Sequence, residues 1–376
     1  MTEAPPLAVY IHWPYCARIC PYCDFNVVRD RGRLAQQQAL VAAIEADLAF
    51  QASLLGPRRL SSIFFGGGTP SLMQPEWVAR LIETARRLWP TEGPVEISLE
   101  ANPTDAETGR FQGFAAAGVA RLYLGVQAFD DAALKFLGRN HSAAEAERGL
   151  EAALAAFPRV SLDLIYALPE QTPQAWAREL GRAAASGAEH ISPYQLTIEA
   201  GTAFDRKVGR GLFTPPDPDL GAALYETTQA VLEAAGFEAY EVSNHAKGET
   251  ARSAHNLAYW RGWDYVGAGP GGHGRLTLAG GRVATEAEAK IEAYIAAAGR
   301  GLQGAERLSA ADIAYERVLM GLRTVEGVAA AEIAGLGMAR LPDLLAQGLI
   351  RLVGDRVVAT PAGRAVLDRI VAELAA

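Results

Sequence analysis

Cys16-Ala17-Arg18-Ile19-Cys20-Pro21-Tyr22-Cys23 holds all three cysteines of a 376-residue chain. Three thiols at C-x3-C-x2-C spacing can surround one inorganic cluster from one side. A cubane of four irons and four sulfides takes four thiolates. Three leave one iron open, and an open iron can chelate the amino and carboxylate groups of a ligand such as S-adenosylmethionine (SAM). A disulfide framework pairs its cysteines, and three is odd. Structural zinc wants four ligands, usually as two separated C-x2-C knuckles. His12 is a fourth-ligand candidate for zinc, although it falls on the strand expected before the loop.

Working outward, the chain alternates strand and helix. Ala8–His12 is a short apolar run closed by Pro14. Leu34–Leu55 has apolar residues at helical spacing with no breaker before Gly56-Pro57. Strands are expected at Ser61–Phe65, Val95–Leu99, Arg121–Val126, Val160–Ile165 and His190–Leu196. Helices are expected at Pro75–Leu88, Asp105–Ala117, within 130–156 and at Pro173–Ala185. Six strand–helix alternations predict parallel strands with helical crossovers. Cys16, the Gly66-Gly67-Gly68-Thr69-Pro70 run, Glu100 and Gln127 all fall at or just after strand C-termini, the rim that carries the chemistry in (β/α) barrels.

Beyond residue 200 the pattern loosens. A loop at Thr214–Asp219 precedes a helix over 219–235, and Glu238–Val242 is strand-like. Gly267-Ala268-Gly269-Pro270-Gly271-Gly272 matches G-x-G-x-x-G, but Pro270 interrupts it and a strand-like Leu276-Thr277-Leu278 follows, so the dinucleotide-binding reading fails. Ser309–Asp312 is a capping-box-like helix start. A hairpin is expected at Gly354-Asp355 and a helix from Pro361, which together resemble a winged-helix unit. The division expected is 1–200, 201–305 and 306–376.

Net charge is −8 and half of the residues are hydrophobic. That balance argues against nucleic acid as a partner, because phosphate binding needs clustered Lys and Arg. Ser309–Ala376 carries seven Arg, no Lys and eight Asp plus Glu, so its winged-helix pattern suits packing or a protein partner. No apolar run reaches about eighteen residues, the length expected of a membrane span. The N-terminus lacks a basic region followed by an apolar core. A cytoplasmic protein that keeps its thiols reduced is expected.

Gly66–Gly68 lets backbone N–H groups approach a ligand without a Cβ in the way, and Thr69 adds a hydroxyl. An ordinary tight turn would look the same. Glu100 is placed to accept hydrogen bonds from an amine or ribose. Gln127, Arg139 and Asp163 lie on the same rim and suit a polar ligand, though singly each residue type is more often on the surface. Tyr10 is either core or a ring beside the cluster. His255 sits in a dense aromatic segment with Tyr259, Trp260 and Trp263, which could hold a flat macrocycle with His as an axial ligand to iron; core packing of the same rings fits equally well.

The cysteine triad, with Tyr22 before its last member, resembles the signature of the radical SAM superfamily. The segments Tyr10–Cys16, Gly66–Pro70, Glu100–Pro103, Gly125–Gln127, Leu137–His141, Asp163–Pro169 and His255–Trp260 resemble the family of oxygen-independent coproporphyrinogen III dehydrogenase and its relatives. The resemblance covers essentially the whole chain. It implies a partial (β/α)6 radical SAM barrel with a small C-terminal winged-helix-like α+β module. It also implies that Cys16, Cys20 and Cys23 ligate a 4Fe-4S cluster whose fourth iron SAM closes. Tyr10, Tyr22, Gly67, Gly68, Thr69, Glu100, Gln127, Arg139 and Asp163 match SAM-contact positions. Thr69 stands where Glu is commonest in the superfamily. Two branches compete. The dehydrogenase branch resembles C-x3-C-x2-C-x-C and has a long N-terminal extension. Here Phe25 stands at the fourth cysteine position, and nine residues precede Tyr10. Both features point to the haem-chaperone branch, which carries the H-N-x-x-Y-W segment. That branch implies haem as a third bound group, with His255 as its expected contact. The expected partner is a haem-acceptor apoprotein, with room for peripheral association with membrane-bound acceptors. The alternative is an enzyme that uses a 5′-deoxyadenosyl radical to decarboxylate coproporphyrinogen oxidatively.

Overall fold

A computed structural model describes residues 4–297, 299–300, 302–336 and 338–375. Six parallel strands form its centre: β1 (Pro6–Trp13), β2 (Arg59–Gly67), β3 (Glu96–Ala101), β4 (Arg121–Gln127), β5 (Arg159–Tyr166) and β6 (His190–Gln195). Each pairs with the next in chain order. The crossovers include α1 (Leu34–Leu55), α2 (Pro75–Leu88), α3 (Ala143–Ala156) and α4 (Pro173–Ala184). Alternate residues of β1 explain its two faces. Leu7, Val9, Ile11 and Trp13 enter the main apolar core, while Tyr10 and His12 share the other face and are joined by a 3.0 Å hydrogen bond.

β1 and β6 are not neighbours, so the arc of strands stays open. A seventh parallel strand, β7 (Asp264–Ala268), pairs with β1 on the side away from β2. It continues antiparallel through β8 (His273–Leu278), β9 (Gly281–Ala287) and β10 (Leu302–Arg307). At the other end, His245–Ala246 and then Glu238–Ala239 extend β6, which makes one twelve-stranded sheet. The sheet runs on across residue 200. The helix α5 (Pro218–Ala234) and the short α6 (Ala254–Trp260) lie between these edge elements in sequence.

One expected helix is broken, and the helical stretches expected within 130–156 form as two. Asp105–Ala117 forms as Asp105–Thr108 and Phe111–Ala116, with Gly109, a poor helix former, at the break. Buried Glu107 there accepts the Asn102 N–H at 2.9 Å. The stretch 130–156 forms as Asp131–Phe136 and α3. The Leu137–His141 turn between them ends where a Ser142–Glu145 capping box restarts the helix.

At 22 residues, α1 is long and apolar enough to cross a bilayer by length and composition, which corrects the expectation that no segment would be. Its composition has a packing cause: Leu40, Val41, Ile44, Leu48 and Leu55 are buried in the main core, and Asp47 is buried beside them.

The last segment builds its own core from Val318, Leu322, Ile333, Val357 and Ile370, among others. A helix, α7 (Ala310–Gly321), starts at Ser309 with the expected capping box, closed by Asp312. A three-stranded sheet contains the hairpin Ile350–Val353/Arg356–Ala359. Helices with a small hairpin-bearing sheet give the α+β, winged-helix-like arrangement.

Candidate cluster and ligand cavity

The cysteine loop leaves β1 and is pinned at its root. Gly68 N–H donates to Trp13 O at 2.8 Å, and Thr69 N–H donates to Tyr15 O at 2.9 Å. Tyr15–Cys16 also pairs with Val28–Arg29. Gly67 N–H donates to Glu100 Oε2 at 3.1 Å. The glycine run therefore differs from the expectation. The N–H groups of Gly67, Gly68 and Thr69 hold the protein together, which leaves their carbonyl oxygens to serve a ligand. An amine, which donates, is the matching group.

Above the loop lies a cavity of about 340 Å³ at the C-terminal ends of the strands. Cys16, Cys20, Tyr22, Cys23, Gly67, Gly68, Thr69, Glu100, Gln127, Arg139 and Asp163 all line it. Thus eleven of the thirteen residues singled out above converge on one cavity. Asn102, Tyr123 and Tyr194 join them. Asn102 is two residues after Glu100, and that period of two was a usable signal.

Arg139 is half-buried and reaches across the site. It donates to Cys20 Sγ at 3.4 Å, to Gly125 O at 3.0 Å and to Asn102 Oδ1. The break in the helix at 137–142 delivers it there. Burial pushes the Cys16 thiol up to about 12, a Thr69 hydrogen bond opposing. Burial also raises the Cys23 thiol. Iron would have to displace those protons, so cluster binding releases protons. Burial, with Asp163 adding, raises Glu100 to about 8. Burial raises Asp163 to about 7, opposed by Ser192 and Arg139. Asp163 Oδ1 is buried without a hydrogen-bond partner. Two costly acids at one wall suit a ligand that carries positive charge.

The thiols are the donors that iron–sulfur clusters take. Among the described residues, no group of three His, Cys, Asp or Glu side chains could hold a single metal ion. Three thiols nonetheless line one wall. An all-thiol donor set fits an iron–sulfur cluster.

Tyr10 and His255 are not brought to this cavity. Tyr10 lines a second cavity, of about 820 Å³, with Tyr259, Trp260, Tyr265 and His273. His255 lines neither. It is 1% exposed, with Nδ1 3.0 Å from Ser62 Oγ and Nε2 2.8 Å from Tyr259 Oη. Burial lowers its pKa to about 3, so the ring is neutral and both nitrogens are engaged. This geometry gives no support to axial ligation by His255. Phe25 is 61% exposed and lines both cavities.

An open arc of six β/α units with a three-cysteine loop after its first strand defines a radical SAM protein, and the Radical SAM superfamily model matches residues 10–180. The HemN C-terminal domain model matches residues 308–366. "Heme chaperone HemW" of Mycobacterium tuberculosis is 36% identical over 98% of this chain and 95% of its own. "Heme chaperone HemW" of Escherichia coli K12 is 34% identical over 98% of both chains. The mouse "Radical S-adenosyl methionine domain-containing protein 1, mitochondrial" is 38% identical over 98% of this chain and 87% of its own. In the fold, the coproporphyrinogen III oxidase HemN of Escherichia coli superposes with a TM-score of 0.81 at 23% identity, over 99% of this chain and 90% of its own. The chain belongs to the radical SAM superfamily and, within it, to the HemW family. Membership of the superfamily implies a 4Fe-4S cluster and SAM.

Proposed function

We propose that this protein is a haem chaperone that carries a 4Fe-4S cluster with SAM, binds haem and passes it to an acceptor apoprotein. The observation that carries this reading is the end-to-end likeness to proteins named heme chaperone, over 98% of both chains in one case. Phe25 supports it, standing where the dehydrogenase branch is expected to hold a fourth cysteine. The first cavity fits the cofactors by its donor chemistry. Cys16, Cys20 and Cys23 would hold the cluster. The carbonyl oxygens of the glycine run would accept from the SAM amine. Glu100 and Asp163, the latter with an unpartnered oxygen, would face its positive charge. When bound, the cluster supplies an open iron and, if reduced, an electron. The chain's own part is to hold the loop rigid through Gly68 and Thr69 and to set a guanidinium on Cys20 through Arg139.

The acceptor is proposed to be a haem protein, reached in solution or by peripheral association with a membrane. Thiols that must stay reduced suit the cytoplasm or a comparably reducing organelle.

The test is direct. Anaerobic, cluster-loaded protein is given coproporphyrinogen III, SAM and reductant, and in parallel is titrated with haem and mixed with a haem-free acceptor. The expected result is a haem Soret band, transfer of that band to the acceptor, and no protoporphyrinogen. Turnover to protoporphyrinogen overturns the chaperone reading in favour of the dehydrogenase.

A further inference from the structure

Resting on the haem-carrying reading above, we infer that the second cavity is the haem seat and that His273 is the axial ligand to its iron. The chain has six histidines. Five spend ring nitrogens on partners: His12 on Tyr10 and Asn26, His141 on Val126 O, His190 on Tyr240, His245 on Gln229, and His255 on Ser62 and Tyr259. His273 has no hydrogen bond to either ring nitrogen among the described residues. It is exposed and lines the second cavity. A ligand to iron needs an accessible imidazole nitrogen with an available lone pair. His141, His190 and His245 each keep a free Nδ1, but it is buried and away from this cavity, whereas His273 presents its ring to the cavity.

The cavity fits a macrocycle in size and wall. At about 820 Å³, it lies in the roughly 300–1,000 Å³ range of cofactor-sized sites. Phe25, Trp260, Met320 and the pair Tyr259–Tyr265, whose ring centroids are 4.5 Å apart, supply the apolar surface. Arg275, Arg282 and Arg317 line it as well. Each is paired with a carboxylate: Glu316 at 2.7 Å, Asp264 at 3.3 Å and Glu332 at 2.7 Å. Each also donates to one backbone carbonyl, Gly274 O, Trp263 O and Trp260 O respectively. A guanidinium has five N–H donors, so donors remain for a propionate.

The glycine-rich run that failed as a dinucleotide motif has a role here. A Cβ at Gly267 would sit 2.1 Å from His273 O. Glycine is what lets β7 and β8 touch at that point, which fixes His273 at the start of β8. His255 becomes a positioning residue: its Nε2 is 2.8 Å from the Tyr259 hydroxyl and so helps hold the Tyr259 ring on the cavity wall.

Ferric haem is titrated into anaerobic, cluster-loaded wild type, His273→Ala, His273→Cys, His255→Ala and Ile313→Trp, with cluster absorbance and far-UV circular dichroism as controls. Ile313 lines the cavity, so Trp there fills it. His273 is exposed, so Ala leaves the packing intact. The expectation is a Soret shift and roughly tenfold or greater weakening in His273→Ala, and a thiolate-type spectrum in His273→Cys. His255→Ala is expected to bind more weakly with the wild-type Soret position, and Ile313→Trp to lose binding. A wild-type Soret position and affinity in His273→Ala, or undiminished binding in Ile313→Trp, overturns the site. A wild type with no haem band overturns the haem-carrying reading itself, a result distinct from either of these.

Discussion

Gln127 ends β4 at φ +66°, a left-handed backbone angle held by a residue with a side chain. Such an angle costs a non-glycine residue about 1–2 kcal/mol, and strain of this kind gathers where a side chain must be aimed. At Gln127 the side chain lines the cluster cavity. The cost and the role can be separated by comparing two truncations. Gln127→Ala and Gln127→Gly lose the amide equally, so both should bind SAM more weakly by equilibrium dialysis. Only glycine relieves the backbone. Gln127→Gly should therefore be more stable in urea than Gln127→Ala by about 1 kcal/mol. Equal stability would mean that the turn relaxes once the side chain is gone.

At the scale of elements, the site depends on the C-terminal end of β2 meeting the cysteine loop. A Cβ on Gly68 would lie 2.7 Å from Tyr15 O, 2.9 Å from Trp13 O and 3.0 Å from Cys16 Sγ. Two of those contacts are backbone, which cannot swing aside. Gly68→Ala should thus fold, because the core under the strands is untouched, but incorporate less cluster. Iron per chain and absorbance near 400 nm measure this, and full cluster content in Gly68→Ala would show the loop to be pliable. Much of this frame was legible in the sequence because each strand of the barrel is a compact apolar run with its polar residues at one end. Leu34–Leu55 and Pro75–Leu88 form with the limits that periodicity gave. Most of the rim residues converge because they lie at or just after the C-terminal ends of parallel strands, whereas Asp163 lies within β5 and Arg139 comes from the turn after Asp131–Phe136. What was not legible depended on long-range pairing. β7 is five residues with one glycine, and it is β1, more than 250 positions earlier in sequence, that pairs with all five of them. The alternation of β1 placed Tyr10 opposite Ile11, yet nothing local said that this face opens on a second cavity. His255 stood out by its aromatic company, and the same company buries it.

For the molecule as a whole, one buried acid ties the sheet to its own first helix. Asp47 of α1 accepts from Tyr294 Oη at 2.6 Å and from Gln51 Nε2 at 3.2 Å. Tyr294 in turn accepts the Gly269 N–H at 2.9 Å, and Gln51 donates to Gly267 O at 3.0 Å. The knot therefore joins α1, the helix Ile291–Ala296 and the glycine run that follows β7. Burial pushes the Asp47 carboxyl up to about 6 from 3.8, against the hydrogen bonds, which pull it down. The sign follows. Between those two values the folded chain holds a proton that the unfolded chain has lost, so stability falls as pH rises through that window and is flat above it. From pH 5 to pH 8 the loss amounts to about 1.4 kcal/mol. Asp47→Asn removes that proton while keeping an acceptor for Tyr294. Every other group titrates alike in both proteins, so the difference in unfolding free energy between mutant and wild type isolates Asp47. Measured in urea at pH 5, 6.5 and 8, the mutant should gain on wild type as pH rises, by about 1.4 kcal/mol across the range. A difference that stays constant with pH would mean that Asp47 is charged throughout, with the hydrogen bonds to Tyr294 and Gln51 outweighing its burial.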